Sequence, residues 1–185
     1  TTKIWTAYLV VKNVKNLDEP VEITEPPGVD GSSMYLEVGE IFTVRELLQG
    51  LLIHSSNDAA VVLAKYVSGS TQDFAQLMNK EAKKAGALNT HFNNPHGLPD
   101  DNHYTTPYDI YLMLNEAFTY PEFTEITELP SYTVTYTGSD GTEKSTTLTA
   151  TDHYLTGEAT APKDVTILGG KTGTTEVAGN CLAIL

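Results

Sequence analysis

Three short segments of the chain carry side chains that could perform chemistry, and the first is Gly169–Thr175. It reads Gly-Gly-Lys-Thr-Gly-Thr-Thr, and Gly-rich segments with a Lys-Thr pair often bind phosphate. A P-loop, however, needs four residues between its two glycines and a helix after the lysine, and this segment has neither feature. It favours a Lys-Thr-Gly edge strand, in which Gly173 lets a ligand backbone approach and Thr172 offers a hydroxyl. A buried Lys171 would attract an anionic group, although the segment alone is also typical of an exposed strand end.

The second segment is Ser55-Ser56-Asn57, which lies in a predicted turn between two apolar helices. Ser55 and Asn57 are two positions apart, so the turn would direct a hydroxyl and an amide into one cleft. Serine and asparagine also cap helices very often, and helix capping is the alternative interpretation of this segment.

The third candidate is Lys3, in the first turn of a predicted helix that also carries Ile4, Trp5 and Tyr8. Its ammonium group could reach water at the end of an extended side chain. Alternatively, burial would lower the pKa of the amine and let it act as a base. Taken alone, Lys3 favours the surface interpretation.

Most of the elements that must position these residues are predicted to be helices. From Thr2 to about Asn13, apolar side chains recur at intervals of three and four, which predicts a mostly buried helix. Thr43-Val44-Arg45-Glu46 is a capping box, and the apolar stripe that follows it should end near His54. The other predicted helices are Ala59–Val67 capped by Asn57 or Asp58, Thr71–Ala85 stopped by Gly86, and a helix from the Thr106 cap to about Phe118 with Pro107 at its first position.

The predicted strands are short. Tyr132–Thr137 and Thr142–Thr149 flank the turn sequence Gly-Ser-Asp-Gly and predict a β-hairpin. The other strand-like segments are Val21–Thr24, Ser33–Val38, the Lys-Thr-Gly segment and Ala178–Leu185, and residues 88–104 are predicted to be a polar loop. No repeat or linker interrupts the chain, so we expect one compact unit.

Length and composition exclude several classes of protein. The chain has 185 residues, enough for one domain with a hydrophobic core. Its 11 Lys and Arg against 24 Asp and Glu give a net charge of −13, which argues against binding to nucleic acid or to an anionic membrane surface. No apolar run reaches the roughly 18 residues that span a bilayer. The single cysteine, Cys181, excludes an internal disulfide and fixes no compartment.

The order and spacing of the three candidate segments change their interpretation. Lys3, Ser55-Ser56-Asn57 and Lys171-Thr172-Gly173 resemble the S-x-x-K, S-x-N and K-T-G motifs of penicillin-recognising serine enzymes. The flanking residues are similar to one branch, the low-molecular-mass serine D-alanyl-D-alanine carboxypeptidases, over essentially the whole chain. The matching stretches are Thr1–Ile4, Gly50–Ala60, Asn94–Leu98, His103–Thr106, Lys171–Thr175 and Ala178-Gly179.

The resemblance implies an α+β, β-lactamase/transpeptidase-like fold, with a helical cluster and the K-T-G strand of an antiparallel sheet. In that family two strands of a five-stranded sheet precede the nucleophilic serine and two follow the K-T-G strand. Residues 1–185 are therefore expected to be a partial penicillin-binding catalytic domain, truncated at both ends and lacking those strands. The family often carries a C-terminal β-rich domain and an amphipathic membrane anchor, and we expect both outside residues 1–185.

The resemblance also implies roles for the first two motifs. The nucleophilic serine of the family stands three residues before the motif lysine, which corresponds to the position immediately before Thr1. Lys3 matches the general base that takes the hydroxyl proton, with a pKa lowered by desolvation or by the nearby cation of Lys171. Ser55 matches the hydroxyl that passes a proton to the departing amine, and Asn57 matches the amide that holds Lys3 and the substrate backbone.

The third motif is implied to bind the substrate. Lys171, Thr172 and Gly173 match the K-T-G residues, of which the lysine and threonine bind the carboxylate of a terminal D-Ala or of a β-lactam. The backbone N–H of Thr174 would form the oxyanion hole together with that of the missing serine. The implied reaction is acyl transfer, in which the C-terminal D-Ala of a peptidoglycan stem peptide leaves and water hydrolyses the acyl-enzyme.

The resemblance calls for no metal or organic cofactor. The histidines lack metal-ligand spacing, and His96 and His103 are expected to order their loop; the set is His54, His91, His96, His103 and His153. The expected partners are peptidoglycan stem peptides and β-lactam antibiotics, with no nucleic acid. The expected location is extracytoplasmic, either secreted or associated with the cell envelope.

Two other hypotheses stay open. A serine β-lactamase shares the three motifs but needs a residue that activates water, and no suitable E-x-x-x-N segment lies between Ser55 and Lys171, since Glu116 and Glu125 fall on predicted helices. Alternatively, residues 1–185 alone are a non-catalytic ligand-binding fragment. The missing strands would leave sheet edges exposed, and three explanations are open. The remainder of the sheet belongs to another chain or to sequence outside residues 1–185, or the segment was cut from a longer protein for structural work, or a second copy completes the sheet.

Overall fold

The chain folds into seven helices and six short strands, and the computed structural model describes residues 1–185. The helices are α1 (Thr2–Asn13), α2 (Val44–Leu52), α3 (Asn57–Ser68), α4 (Thr71–Lys84), α5 (Pro107–Ala117), α6 (Pro121–Thr127) and α7 (His153–Thr156). The strands are β1 (Pro20–Glu22), β2 (Ile41–Thr43), β3 (Ser131–Thr137), β4 (Glu143–Thr149), β5 (Gly170–Thr175) and β6 (Gly179–Ile184). No helix is both long and apolar enough to cross a membrane.

Helix α1 is the centre of the hydrophobic core. Every residue from Lys3 to Val10 is buried, and the helix packs against α2, α3, α4, α5 and α6. Trp5 stacks on Tyr8 with ring centroids 4.4 Å apart, and its Nε1–H donates to the carbonyl of Met78 at 2.9 Å. Because other helices surround α1, packing fixes the position of its N-terminal turn and therefore of Lys3.

Local signals set the helix ends that the sequence predicts. Thr43 and Glu46 form the capping box of α2: the Thr43 Oγ1 accepts from the Glu46 N–H, and the Glu46 carboxylate accepts from the Thr43 N–H. Thr106 caps α5, with a proline at the first helical position. The cap of α3 was predicted wrongly, because Ser56 occupies it, whereas Asn57 and Asp58 lie in the first turn. The side chain of Asn57 binds Lys3 and Asp30, and that of Asp58 binds residues 33–36 as well as the N–H of Ala59 in its own helix.

The first sheet is antiparallel, with the strand order β1-β2-β3-β4. Its hairpin of β3 and β4 confirms the prediction, and Val134 pairs with Thr146 near its middle. Strand β1 overlaps the predicted Val21–Thr24 region at Val21 and Glu22, whereas the three-residue strand β2 was not predicted. The prediction of a strand over residues 33–38 is wrong, because the Asp58 carboxylate binds the N–H groups of Met34 and Leu36 that a strand would use.

The second sheet contains β5 and β6, which pair antiparallel from Gly170↔Ile184 to Thr175↔Gly179. Both strands were predicted from the sequence. Helix α5 packs against β6, and the N–H of Leu168 extends the pairing by donating to the carbonyl of Leu185 at 2.9 Å. This sheet places the Lys-Thr-Gly segment beside the N-terminal turn of α1.

Candidate active site

A cleft of about 760 Å³ lies where the N-terminus of α1, the α2–α3 turn and β5 meet. Among the residues that line it are six of the seven predicted site residues, namely Lys3, Ser55, Asn57, Thr172, Gly173 and Thr174. The seventh, Lys171, is only 1% exposed, and its ammonium group contacts the carbonyl of Thr172. The fold thus brings together residues from three distant parts of the chain.

Lys3 is buried, so the surface interpretation of this residue is wrong. Its ammonium nitrogen donates to the Oδ1 of Asn57 at 2.7 Å and to the carbonyl of His96 at 2.8 Å. Burial lowers the pKa of Lys3 from 10.5 to about 8, while the nearby Asp58 carboxylate opposes the shift. Both hydrogen-bond acceptors are uncharged. With a pKa of about 8, roughly a tenth of the amine is neutral at pH 7, and the lone pair of this form can accept a proton.

The α2–α3 turn fixes the orientation of Ser55 and Asn57. Ser55 has a left-handed backbone with φ 63°, a conformation that is uncommon for residues with a Cβ. The backbone N–H of Asn57 donates to the carbonyl of Ser32 at 2.7 Å, and its Nδ2 donates to the carbonyl of Asp30 at 2.6 Å. Because the amide nitrogen must face Asp30, the amide oxygen faces Lys3.

Asp58 anchors the segment that supplies these carbonyl acceptors, and the sequence did not reveal this role. Its carboxylate accepts from the Ser33 hydroxyl at 2.5 Å, from the backbone N–H of Met34 and of Leu36 at 3.1 Å each, and from the N–H of Ala59 at 2.9 Å. Four donors satisfy a buried charge that would otherwise be costly. The only sequence signal was a carboxylate beside the apolar start of α3.

The loop that contains His96 and His103 packs against the first turn of α1. The Nδ1 of His103 accepts from the N–H of Asn93 at 3.1 Å, so its proton lies on Nε2, which is 2.8 Å from the hydroxyl oxygen of Thr2. Burial lowers the pKa of His103 to about 4. Gly97 has φ +88°, and a Cβ there would lie 2.9 Å from the same Thr2 oxygen. The His103 contact with Asn93 and the contact of the His96 Nδ1 with the N–H of Leu98 agree with the expectation that these histidines order their loop.

Lys171 is held beside the cleft by β5 and by the segment that follows β4. Its ammonium nitrogen donates to the carbonyl of Thr172 at 3.1 Å and to the hydroxyl of Thr151 at 3.5 Å. Burial, and after it the charge of the Lys3 ammonium, lower the pKa of Lys171 from 10.5 to about 7, while the Asp152 carboxylate opposes the shift. The sequence left desolvation or the Lys171 cation as the cause of the lowered pKa of Lys3, and desolvation is the cause that the structure gives.

Strand β5 runs very close to the N-terminus of α1. A Cβ at Gly173 would lie 2.7 Å from the backbone nitrogen of Thr1, so only glycine permits this approach. The next residue, Thr174, directs its hydroxyl to the side-chain oxygen of Asn180 on β6 at 3.1 Å. The edge of β5 therefore lies directly beside a helix N-terminus, whose positive end favours a ligand with a negative charge.

A family profile described as D-alanyl-D-alanine carboxypeptidase matches residues 1–184. The chain belongs to the D-alanyl-D-alanine carboxypeptidase family. It is 39% identical over 131 residues to D-alanyl-D-alanine carboxypeptidase DacF of Bacillus subtilis (strain 168), a match that covers 68% of this chain and 34% of the relative. It is 36% identical over 154 residues to the D-alanyl-D-alanine carboxypeptidase of Streptomyces sp. (strain K15), covering 75% of this chain and 53% of the relative. These matches thus span about a third to a half of the relatives' lengths.

Solved structures of the family have the same fold. The crystal structure of the Streptomyces K15 DD-transpeptidase matches with a TM-score of 0.88 and 32% identity, covering 99% of this chain and 72% of that one. The D-alanyl-D-alanine carboxypeptidase DacD from Francisella tularensis matches with a TM-score of 0.84 and 27% identity, covering 99% of this chain and 55% of that one. The predicted α+β, β-lactamase/transpeptidase-like fold is confirmed.

Proposed function

We propose that the protein containing residues 1–185 is a serine D-alanyl-D-alanine carboxypeptidase that removes the terminal D-Ala from peptidoglycan stem peptides. One observation carries this proposal: the three motif segments of the family surround a single cleft, with the Lys3 amine 2.7 Å from the Asn57 oxygen. Membership of the family and the lowered pKa of Lys3 support it further.

The proposed nucleophile is a serine in the position immediately before Thr1. Its place at the N-terminus of α1 would expose it to free N–H groups and to the positive end of the helix dipole, which stabilise developing negative charge. The neutral amine of Lys3 takes the hydroxyl proton as the serine oxygen attacks the carbonyl carbon of the penultimate D-Ala. Ser55 then passes its hydroxyl proton to the nitrogen of the departing D-Ala and regains one from the Lys3 ammonium as the C–N bond breaks, and water hydrolyses the ester that remains.

The substrate is proposed to lie along β5. Asn57 uses one of its two amide N–H groups on Asp30, which leaves the second for a substrate carbonyl. Lys171 and Thr172 bind the terminal carboxylate, and Gly173 permits the close approach of the substrate backbone. The N–H of Thr174 and that of the proposed serine form the oxyanion hole. A β-lactam offers a reactive carbonyl and a carboxylate, so it is proposed to acylate the same serine.

The test uses the full-length parent protein with the serine and a matched variant with alanine at that position. A fluorescent penicillin should label the first protein covalently, and a peptide ending in D-Ala-D-Ala should release D-Ala. No label at saturating reagent would refute the proposal, and rapid turnover of nitrocefin would favour a β-lactamase instead. We propose that residues 1–185 alone are inactive, so a penicillin adduct on the isolated polypeptide in mass spectrometry would contradict this point.

The substrate class also sets the proposed location and assembly. Peptidoglycan is assembled outside the cytoplasmic membrane, so we propose an extracytoplasmic enzyme, secreted or attached to the cell envelope. We further propose that residues 1–185 are part of a larger catalytic domain whose remainder, in the same parent protein, completes the sheet of β5 and β6. The longer single chain of the Streptomyces K15 enzyme, of which this chain covers 72%, supports that arrangement. If fluorescent penicillin labelled the parent protein only in its dimeric form, a second copy would instead be the partner that completes the sheet.

A further inference from the structure

Asp152 lies at the wall of the cleft, and the roles proposed above do not use it. The residue is only 4% exposed. Its Oδ1 accepts from the N–H of Tyr154 at 2.9 Å and caps α7, while its Oδ2 is sealed from solvent without a hydrogen-bond partner. An unpaired, buried carboxylate oxygen is costly unless a positive charge compensates it.

The positive charge with which the Asp152 carboxylate interacts is that of Lys171, whose pKa it raises, and the preceding residue, Thr151, contacts this lysine. The N–H of Thr151 donates to the carbonyl of Ile53 at 3.2 Å, and its hydroxyl oxygen lies 2.6 Å from that of Thr172. The same Thr151 hydroxyl is 3.5 Å from the Lys171 nitrogen, at the outer limit of a hydrogen bond. An ammonium group has three N–H donors, and only one of those of Lys171 makes a hydrogen bond of ordinary length, to the carbonyl of Thr172. The spare donor of Lys171 and the spare acceptor of Asp152 therefore belong to adjacent segments.

We propose that Asp152 is a positioning residue that keeps Lys171 protonated and directed at the carboxylate site of the cleft. It acts through Lys171 and does not touch the ligand, because its free oxygen is sealed from the cleft. The inference rests on the proposed function, since it concerns how that site binds a terminal carboxylate.

The charged groups around Lys171 act on its protonation in opposite directions. Lys3 on α1 contributes a positive charge that opposes protonation of Lys171, and Asp152, just before α7, contributes the negative charge that favours it. The residue that pairs with Lys171 on β6 is the uncharged Ala183. With the pKa of Lys171 at about 7 in the presence of Asp152, removal of that carboxylate would leave a mostly neutral amine at neutral pH. A neutral amine attracts a carboxylate only weakly.

The test compares Asp152→Asn with Asp140→Asn in the full-length parent protein. Asparagine keeps an oxygen that can cap α7 but removes the charge, whereas Asp140 lies exposed in the β3–β4 turn. The side-chain NMR titration of Lys171, identified by its loss in Lys171→Arg, should move to lower pH in Asp152→Asn by about one unit, a tenfold change in the protonation equilibrium. Asp152→Glu should recover most of the shift, and Asp140→Asn should leave the titration unchanged.

The second measurement is the rate of acylation by fluorescent penicillin as a function of pH. Asp152→Asn should need a higher penicillin concentration for half-maximal labelling at about pH 8, and should approach the wild type at about pH 5, where Lys171 is mostly protonated in both. An unchanged Lys171 titration in Asp152→Asn would overturn the inference. If the wild type is not labelled, the proposed function fails, while the titration still decides the role of Asp152. Should Asp152→Asn fail to fold, Asp152→Ser, which also keeps a cap, takes its place in both measurements.

Discussion

The ammonium nitrogen of Lys3 lies 2.7 Å from the side-chain oxygen of Asn57, although 54 positions separate the two residues. This contact joins the first turn of α1 to the first turn of α3. Because Asp30 holds the amide nitrogen of Asn57, the amide oxygen cannot turn away from the lysine. The acceptor is neutral, so it orients the amine without restoring its charge, and the lowered pKa of Lys3 persists.

Lys3→Arg in the full-length protein should abolish most acylation by fluorescent penicillin. Arginine stays protonated at all accessible pH values, so it cannot take the proton of the nucleophile. The expected loss in labelling rate is on the order of 10²–10⁴, the usual contribution of a general base. Lys12→Arg is the control on the same helix, because arginine can keep the ion pair with Glu81. Labelling of Lys3→Arg at the control rate would show that Lys3 is not the base.

The two buried lysines should make the protein more stable as pH rises from about 7 to about 10. Lys3 has a folded pKa of about 8 and Lys171 of about 7, both below the ordinary 10.5. In this window the unfolded chain binds more protons than the folded one, so the free energy of unfolding increases with pH. The increase is at most about 1.4 kcal/mol per pH unit for each lysine. Urea unfolding at several pH values measures it.

The controls for this pH dependence are Lys3→Met and Lys171→Met, each of which removes one of the two titrating groups. Each variant should show a smaller increase in the free energy of unfolding than the wild type. Lys12 does not interfere, because hydrogen bonds to Glu81 and Tyr8 raise its pKa above this window. If the free energy of unfolding rose with pH as steeply in both variants as in the wild type, the two lysines would titrate normally in the folded protein.

Asp58→Asn should destabilise the protein through the segment that Asp58 anchors. The carboxylate accepts four hydrogen bonds, and an amide nitrogen in place of one oxygen would face at least one N–H donor. The expected loss in the free energy of unfolding is about 2–3 kcal/mol, as for hydrogen bonds to a buried charged group. Asp18→Asn is the matched control, because its ion pair with Arg45 is exposed and should contribute less than about 1 kcal/mol. Equal losses in the two variants would contradict the anchoring role.

Gly173→Ala should impair acylation because a Cβ there would lie 2.7 Å from the backbone nitrogen of Thr1. A backbone atom cannot rotate away, so β5 or the N-terminus of α1 must shift. Misplacement of about 1 Å can cost a factor of about 100 in rate. The control Gly141→Asn tests a hairpin glycine with φ +78° and open space around it, because asparagine tolerates this conformation. Normal labelling of Gly173→Ala would show that the close approach is not required.

Features with a local cause could be predicted from the sequence. The Thr43 capping box, the Thr106 cap and the β3–β4 hairpin each depend on a few neighbouring residues, and the structure has all three. The order of three short motifs predicted the site residues, and in the structure six of the seven line one cleft.

Features with a distant cause could not be predicted. Residues 33–38 look like a strand, but Asp58, more than 20 positions away, takes their N–H groups. Lys3 alone favoured the surface, and only contacts with Asn57 and His96 explain its burial. Thr151 and Asp152 stand in a polar segment with no motif, and their position beside Lys171 depends on how that segment crosses β5.

Ser55 has a left-handed backbone, with φ 63°, and at this position stability and catalysis favour different residues. Such a conformation costs a residue with a Cβ about 1–2 kcal/mol, and glycine would relieve this strain. The same replacement would delete the hydroxyl that we propose as the proton donor to the leaving amine. Laboratory evolution for heat resistance alone should therefore enrich glycine at position 55, whereas evolution on β-lactam acylation should retain serine.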